Sequence, residues 1–139
     1  MIIVAVVPFA AHWIRGDAEE RCAWDGLAVE PVYRVRIVEE PGITYTFCCL
    51  QCAERWLDRR NVKPLDIIVT DETSGTELKA PVANYVRSTV ATNTITGNRL
   101  HVFRTAEDAM KHAEAANGRR LLGAERPFAE FKLSGSENP

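Results

Sequence analysis

Methionine is nearly missing from these 139 residues: Met1 and Met110 are the only two. That excludes a methionine-rich copper surface. Charge of one sign is missing too, since 17 lysines and arginines face 19 aspartates and glutamates, for a net charge of −2. No basic stripe stands clear of neighbouring acids, so the chain carries no electrostatic footprint for nucleic acid. The eight glycines are scattered turn residues, which leaves no phosphate loop and no dinucleotide fingerprint. Cysteine is scarce, with four in all, clustered three-plus-one. That is too few and too uneven for a small disulfide scaffold, and a chain of this length buries a core without staples.

No apolar run reaches the roughly 20 residues of a full membrane span. The longest, Met1 to Ile14, contains Pro8 and His12 and ends at Arg15-Gly16-Asp17. Residues 1–15 read as a short or truncated anchor, a signal remnant, or a first core element. The first two readings attach the chain to the cell membrane or place it in the periplasm. Residues 16–133 read as one metal-binding domain, and 134–139 as a disordered tail.

What is there concentrates in Phe47-Cys48-Cys49-Leu50-Gln51-Cys52. Val32–Val38 alternates with period two, Glu39–Gly42 is a turn, and Ile43–Cys48 returns as the second strand of a hairpin. Cys49–Arg60 predicts a helix that buries Trp56, and Leu65–Thr70 a further strand. After the Asp71–Gly75 turn comes a short segment through Ala80, Ala83, Tyr85 and Val86, then the strand Leu100–Phe103. Thr105 can cap a helix running to about Asn117, with Gly118 as its C-cap and Arg119–Leu122 as the last strand. The order strand, strand, helix, strand occurs twice. The chain is therefore α+β: two ββαβ-like halves, with an antiparallel-rich sheet covered by helices.

Three thiols within five positions, where a strand gives way to a helix, point to metal. The helix N-terminus favours thiolate, the form that binds ions or attacks disulfides. Both the i,i+3 and i,i+4 pairs can converge on one ion. Cys22, with 25 residues between it and Cys48, is the distal fourth thiol. Either pair with Cys22 makes a trigonal set suited to Cu(I), and all four make a closed Zn(II) site. The candidate ligands are thus Cys22, Cys48, Cys49 and Cys52. A second class of function shares these residues, because Cys49-Leu-Gln-Cys52 is also the layout of a thiol-disulfide redox pair. A third is a structural domain whose cysteines only stabilise the fold.

Other residues point elsewhere. His101, mid-strand, reads as a surface or satisfied core histidine, and His112 as exposed. Asp66, Asp71 and Glu72 sit at strand edges and turns, where acids serve the backbone rather than catalysis. Ser88 and Thr89 form no triad, and no enzyme activity is expected.

Two family patterns overlap on this text. Phe47-Cys48-x-x-x-Cys52 after an alternating strand resembles the TRASH and YHS-type modules, with Cys22 as the upstream cysteine; the resemblance implies heavy-metal binding. A longer one runs from Cys22 to Leu122. Cys22-x-x-x-Gly26, Ile68-Val-Thr-Asp71 with Gly75, Ala83-Asn-Tyr85-Val86, Thr96-Gly97, His101-Val-Phe103, Glu107-Asp108-Ala109, Ala113 and Gly118 together resemble the NosL family. That resemblance implies a pair of ββαβ units and the role of a membrane-anchored copper-binding accessory factor, exchanging metal with a donor or acceptor protein. The organomercurial lyases are thought to share the fold. Where NosL proteins have a methionine near the upstream cysteine, this chain has Trp24 and Leu27, and the Cys48/Cys49/Cys52 cluster is its own.

Overall fold

The computed structural model describes residues 20–131 apart from Pro41 and Val62, so both proposed terminal segments lie outside the described residues. The first hairpin pairs β1 (Val35–Glu39) with β2 (Ile43–Phe47) antiparallel, Val35 opposite Phe47. β1 starts later than the alternation suggests because Pro31–Tyr33 forms a 3-10 turn with proline at its start. The chain then enters α1 (Leu50–Arg60) and returns as β3 (Asp66–Thr70), which pairs antiparallel with β1. A short strand not legible in the sequence, β4 (Glu77–Lys79), extends this sheet to the order β2-β1-β3-β4.

The second half repeats the path. β5 (Asn84–Arg87) pairs with β6 (Leu100–Phe103), α2 (Ala106–Ala115) follows, and β7 (Arg119–Leu121) pairs with the other edge of β5. The order β6-β5-β7 is that of β2-β1-β3, so the two halves share one topology. The structure differs from the expectation in having two small antiparallel sheets where one was read. No helix among the described residues is long and apolar enough to cross a membrane.

Alternation along β5 explains how the halves join. Tyr85 enters the large core with Ile37, Phe47, Ile67, Val69 and Leu57, while Val86 faces a smaller cluster with Phe103 and Ala109 under α2. The second sheet is therefore buried on both faces, which is why all four residues of β6 are buried, His101 included. Each large side chain fully buried this way contributes about 1.5–3 kcal/mol.

Local chemistry sets the helix ends. Thr105 Oγ1 accepts from the Asp108 N–H at 3.1 Å, the expected N-cap, worth about 1 kcal/mol. The C-terminal expectation needs correction: α2 ends at Ala115 with Ala116 as its C-cap, and it is Asn117 that turns left-handed, at φ 54°. Gly118 is required for another reason. A Cβ there would lie 2.5 Å from the Arg87 carbonyl oxygen and 2.8 Å from Ser88 Cβ, so only glycine lets the chain pass β5.

Candidate metal centre

The helix start is anchored by packing. Leu50, Ala53, Trp56 and Leu57 form the buried stripe of α1. Trp56 lies against Phe47 and Tyr45 of β2, with ring centroids 5.2 and 4.7 Å away. Arg60 covers the outer side of Trp56 at 4.5 Å and pairs with Glu39 at 2.7 Å. Cys49 is the N-cap, in extended backbone at φ −165°, so α1 begins one residue later than its sequence suggests. Cys52 thus lies within the first turn and Cys48 just outside it. No acid of the helix itself occupies that first turn, so the positive end of the helix faces the sulfurs.

The distal ligand arrives on a tight loop. The Cys22 N–H donates to the Leu27 carbonyl at 2.8 Å, and the Gly26 N–H to the Cys22 carbonyl at 2.9 Å. Gly26 adopts φ 78°, a conformation L side chains resist. Asp25 Oδ1 accepts from the Leu27 N–H at 2.9 Å, an Asx-type closure. The Ala23 N–H donates to the Thr46 carbonyl at 2.8 Å, which ties the loop to β2 directly above the helix start.

The result brings Cys22, Asp25, Cys48 and Cys52 together, one donor atom of each lying within 4.8 Å of the others. Cys48 and Cys52 sulfurs are 3.6 Å apart, and Asp25 Oδ2 accepts from Cys52 Sγ at 3.2 Å and from Cys48 Sγ at 3.6 Å. Cys49 lies outside this group, with its sulfur 3.9 Å from that of Cys48. All four cysteines are buried and unpaired by disulfides, whereas Asp25 belongs to an exposed residue reaching in.

Sequence reasoning missed Asp25. Its signal was the spacing Cys22-x-x-Asp25 before Gly26, a carboxylate three residues from a candidate ligand in a turn that must fold back. His101, by contrast, is the satisfied core histidine expected: Nδ1 meets Glu72 Oε1 at 2.9 Å and Nε2 meets the Val90 carbonyl at 2.8 Å. His112 is half-buried rather than exposed, stacked 4.2 Å from His101 and bonded to Ser88 at 3.0 Å. Asp71 does turn work, accepting from Ser74 and from the Arg104 N–H.

Protons divide unevenly in the cluster. Cys22 and Cys49 are each lowered to about 6, chiefly because Cys52 donates to them, which outweighs burial. Cys52, as that donor, is strongly raised, and burial adds to the effect. Cys48 is raised first by burial and then by the charges of Cys49 and Cys22. Burial pushes Asp25 upward most, but the Leu27 N–H and the thiols of Cys52, Cys22 and Cys48 outweigh it and hold the carboxyl low. The metal-free cluster thus shares its protons unevenly around the Asp25 carboxylate. Its donors are mainly soft and convergent, a set that suits thiophilic ions and not magnesium or calcium.

No family model matches the chain, and no curated protein matches it in sequence. Its fold is similar to the crystal structure of the copper chaperone NosL from Shewanella denitrificans, with 15% sequence identity and a TM-score of 0.62. The likeness covers 72% of this chain and 84% of that one; it is a likeness of fold, and it agrees with the duplicated ββαβ path.

Proposed function

We propose that this chain is a metal-binding accessory protein that carries a thiophilic ion, Cu(I) before Zn(II), between a donor and an acceptor protein. The observation that carries the reading is the convergence of the buried Cys22, Cys48 and Cys52 with the exposed Asp25 in one group. The fold shared with a copper chaperone supports the same reading.

Three sulfurs satisfy Cu(I), and the Asp25 carboxylate is a hard donor that binds it weakly. Asp25 is also the solvent-exposed member. An incoming thiolate of the acceptor can therefore bond to the ion where Asp25 stands. Bonds from the ion to Cys22, Cys48 and Cys52 then break one at a time, as further acceptor sulfurs replace them. The ion keeps its oxidation state throughout, and the released cysteines regain their protons from solvent. We place this exchange outside the cytoplasm, with residues 1–15 as the anchor or export segment.

Anaerobic competition with a chromophoric Cu(I) chelator tests the proposal. The wild-type chain should withdraw Cu(I) from the chelator, Cys22→Ser and Cys52→Ser should not, and the bound ion should pass to an acceptor thiol protein. Tight Zn(II) binding without transfer would make the site structural. Failure to bind either ion would overturn metal carriage and turn attention to redox chemistry of Cys49 and Cys52.

A further inference from the structure

Arg126 is held more firmly than a surface arginine needs to be, yet much of its guanidinium goes unused. Its Nη2 donates to the carbonyls of Pro81 at 2.7 Å and Ala83 at 2.8 Å, and more distantly to that of Ala80 at 3.4 Å. Its Cζ lies over the Tyr85 ring, 5.5 Å from the centroid. Tyr85 fixes the same turn, since its hydroxyl donates to the Ala80 carbonyl at 2.7 Å. That strap consumes one nitrogen. Among the described residues, Nε and Nη1 of Arg126 meet no acceptor, and no carboxylate lies within ion-pair distance of the side chain. Glu125, the adjacent acid, pairs with Arg119 at 3.0 Å instead.

The arginine lines a cavity of about 260 Å³ between the turn Ala80–Val82 and the segment 123–131. Ile67, Pro81, Pro127, Phe128 and Phe131 give the rest of that cavity a largely apolar wall. Phe128 shapes it under strain. Its φ of 62° is a conformation that L side chains resist and that persists only where the surroundings fix it. Here its ring is 6% exposed in the main core, and the Glu54 carboxylate accepts from its N–H at 3.4 Å. The Phe131 N–H donates to the Phe128 carbonyl at 3.1 Å, so the wall is built before any ligand arrives.

We infer that this cavity binds a small monocarboxylic acid whose body is one aromatic ring or a short hydrocarbon. The carboxylate pairs with Arg126 through the N–H groups the strap leaves free, and the body lies against Ile67, Phe128 and Phe131. An apolar cavity of about 150 Å³ takes a benzene ring, so the larger space here admits a ring with a short acid arm. A bond from guanidinium to carboxylate is charge-assisted, which an alcohol of the same shape cannot match. Because Arg126 is already immobilised, ligand binding orders little that was free. None of the residues gathered at the metal centre lines the cavity, so this site stands apart from metal carriage.

Amide NMR of the reduced full chain, titrated with 3-phenylpropanoate and separately with 3-phenylpropan-1-ol, tests the inference. Shifts should centre on Gly123, Ala129 and Phe131, and the acid should bind about tenfold more tightly than the alcohol. In Arg126→Gln the two should bind alike. Equal affinities in the wild type would reduce the cavity to an apolar void and overturn the site. Titrations that leave those three amides unmoved would overturn it as well. A preference for the acid that persists in folded Arg126→Gln would overturn the assignment of Arg126. The comparison of acid with alcohol is made on the wild type, so it decides the matter even where the variant fails to fold.

Discussion

Asp25 Oδ2 lies 3.2 Å from Cys52 Sγ although 27 positions separate the two residues. The contact joins a surface turn to the first turn of α1, and it needs both ends fixed. The Ala23 to Thr46 hydrogen bond holds the turn, and Trp56 against Tyr45 and Phe47 holds the helix. Asp25 is thus positioned by the same hairpin that delivers Cys48, and its carboxylate is ready to orient the thiols or to join the ion.

Replacing Asp25 by asparagine keeps the shape and the Leu27 closure but removes the charge. Loss of such a supporting carboxylate should weaken metal affinity on the order of 10–100-fold. The folded apo chain should change little in melting temperature, because the side chain belongs to an exposed residue. Parallel chelator competition and thermal unfolding of the two chains check both expectations. An affinity within twofold of wild type would make Asp25 a bystander of the centre.

The divided protons set a pH profile for the reduced, metal-free protein. Cys22 and Cys49 are lowered to about 6 from the 9.0 of a free thiol, so between those values the unfolded chain binds more protons than the native one. Stability from these two groups is present in full above pH 9 and is lost as pH falls through 6. Cys48 and Cys52 are raised, so their contribution is present below pH 9 and is lost above it. The melting temperature should therefore climb from pH 6 toward 9 and fall beyond, and the ultraviolet absorbance of thiolate should begin to rise well below pH 9. A single step near pH 9 involving all four cysteines would contradict this division.

The sequence carried the duplicated path well because each element had a strong local signal. The alternation in β1 and β2, the Thr105 cap and the buried run of β6 all match what the backbone does. It carried less where spatial neighbours decide. β4 is three residues long and exists by pairing with β3, so no period could reveal it. Gly118 looked like a helix cap, yet its need comes from Arg87 and Ser88, about thirty residues earlier. The same holds in the centre. Four sulfurs were visible from residue type and spacing, while the inclusion of Asp25 and the offset of Cys49 depend on how the Cys22 loop docks on β2.

The second half is held to the first by a charged pair that can be tested apart from the cysteines. Both acceptors around His101, the Glu72 carboxylate and the Val90 carbonyl, call for an N–H on each ring nitrogen, so the ring is an imidazolium. Burial pulls its pKa down most, but the hydrogen bond and charge of Glu72, with Val90, outweigh it and the net shift is upward. Such a group stabilises the fold below its unfolded pKa of 6.5, and the contribution is lost as pH rises through the native value. His112, stacked on it, is lowered by burial and then by the His101 charge. Glu72 also accepts from the Val102 N–H, which pins β6 to the turn after β3. Glu72→Gln should therefore leave a buried imidazolium without its counter-charge, at a cost of about 3 kcal/mol. For a domain of this size that lowers the melting temperature on the order of 10 °C. The loss should be greatest at acidic pH, where wild-type His101 is fully charged, and it should shrink as His101 deprotonates. Thermal unfolding of both chains from pH 5 to 8 measures this; a pH-independent difference would mean that Glu72 acts through its Val102 hydrogen bond and not through the charge on His101.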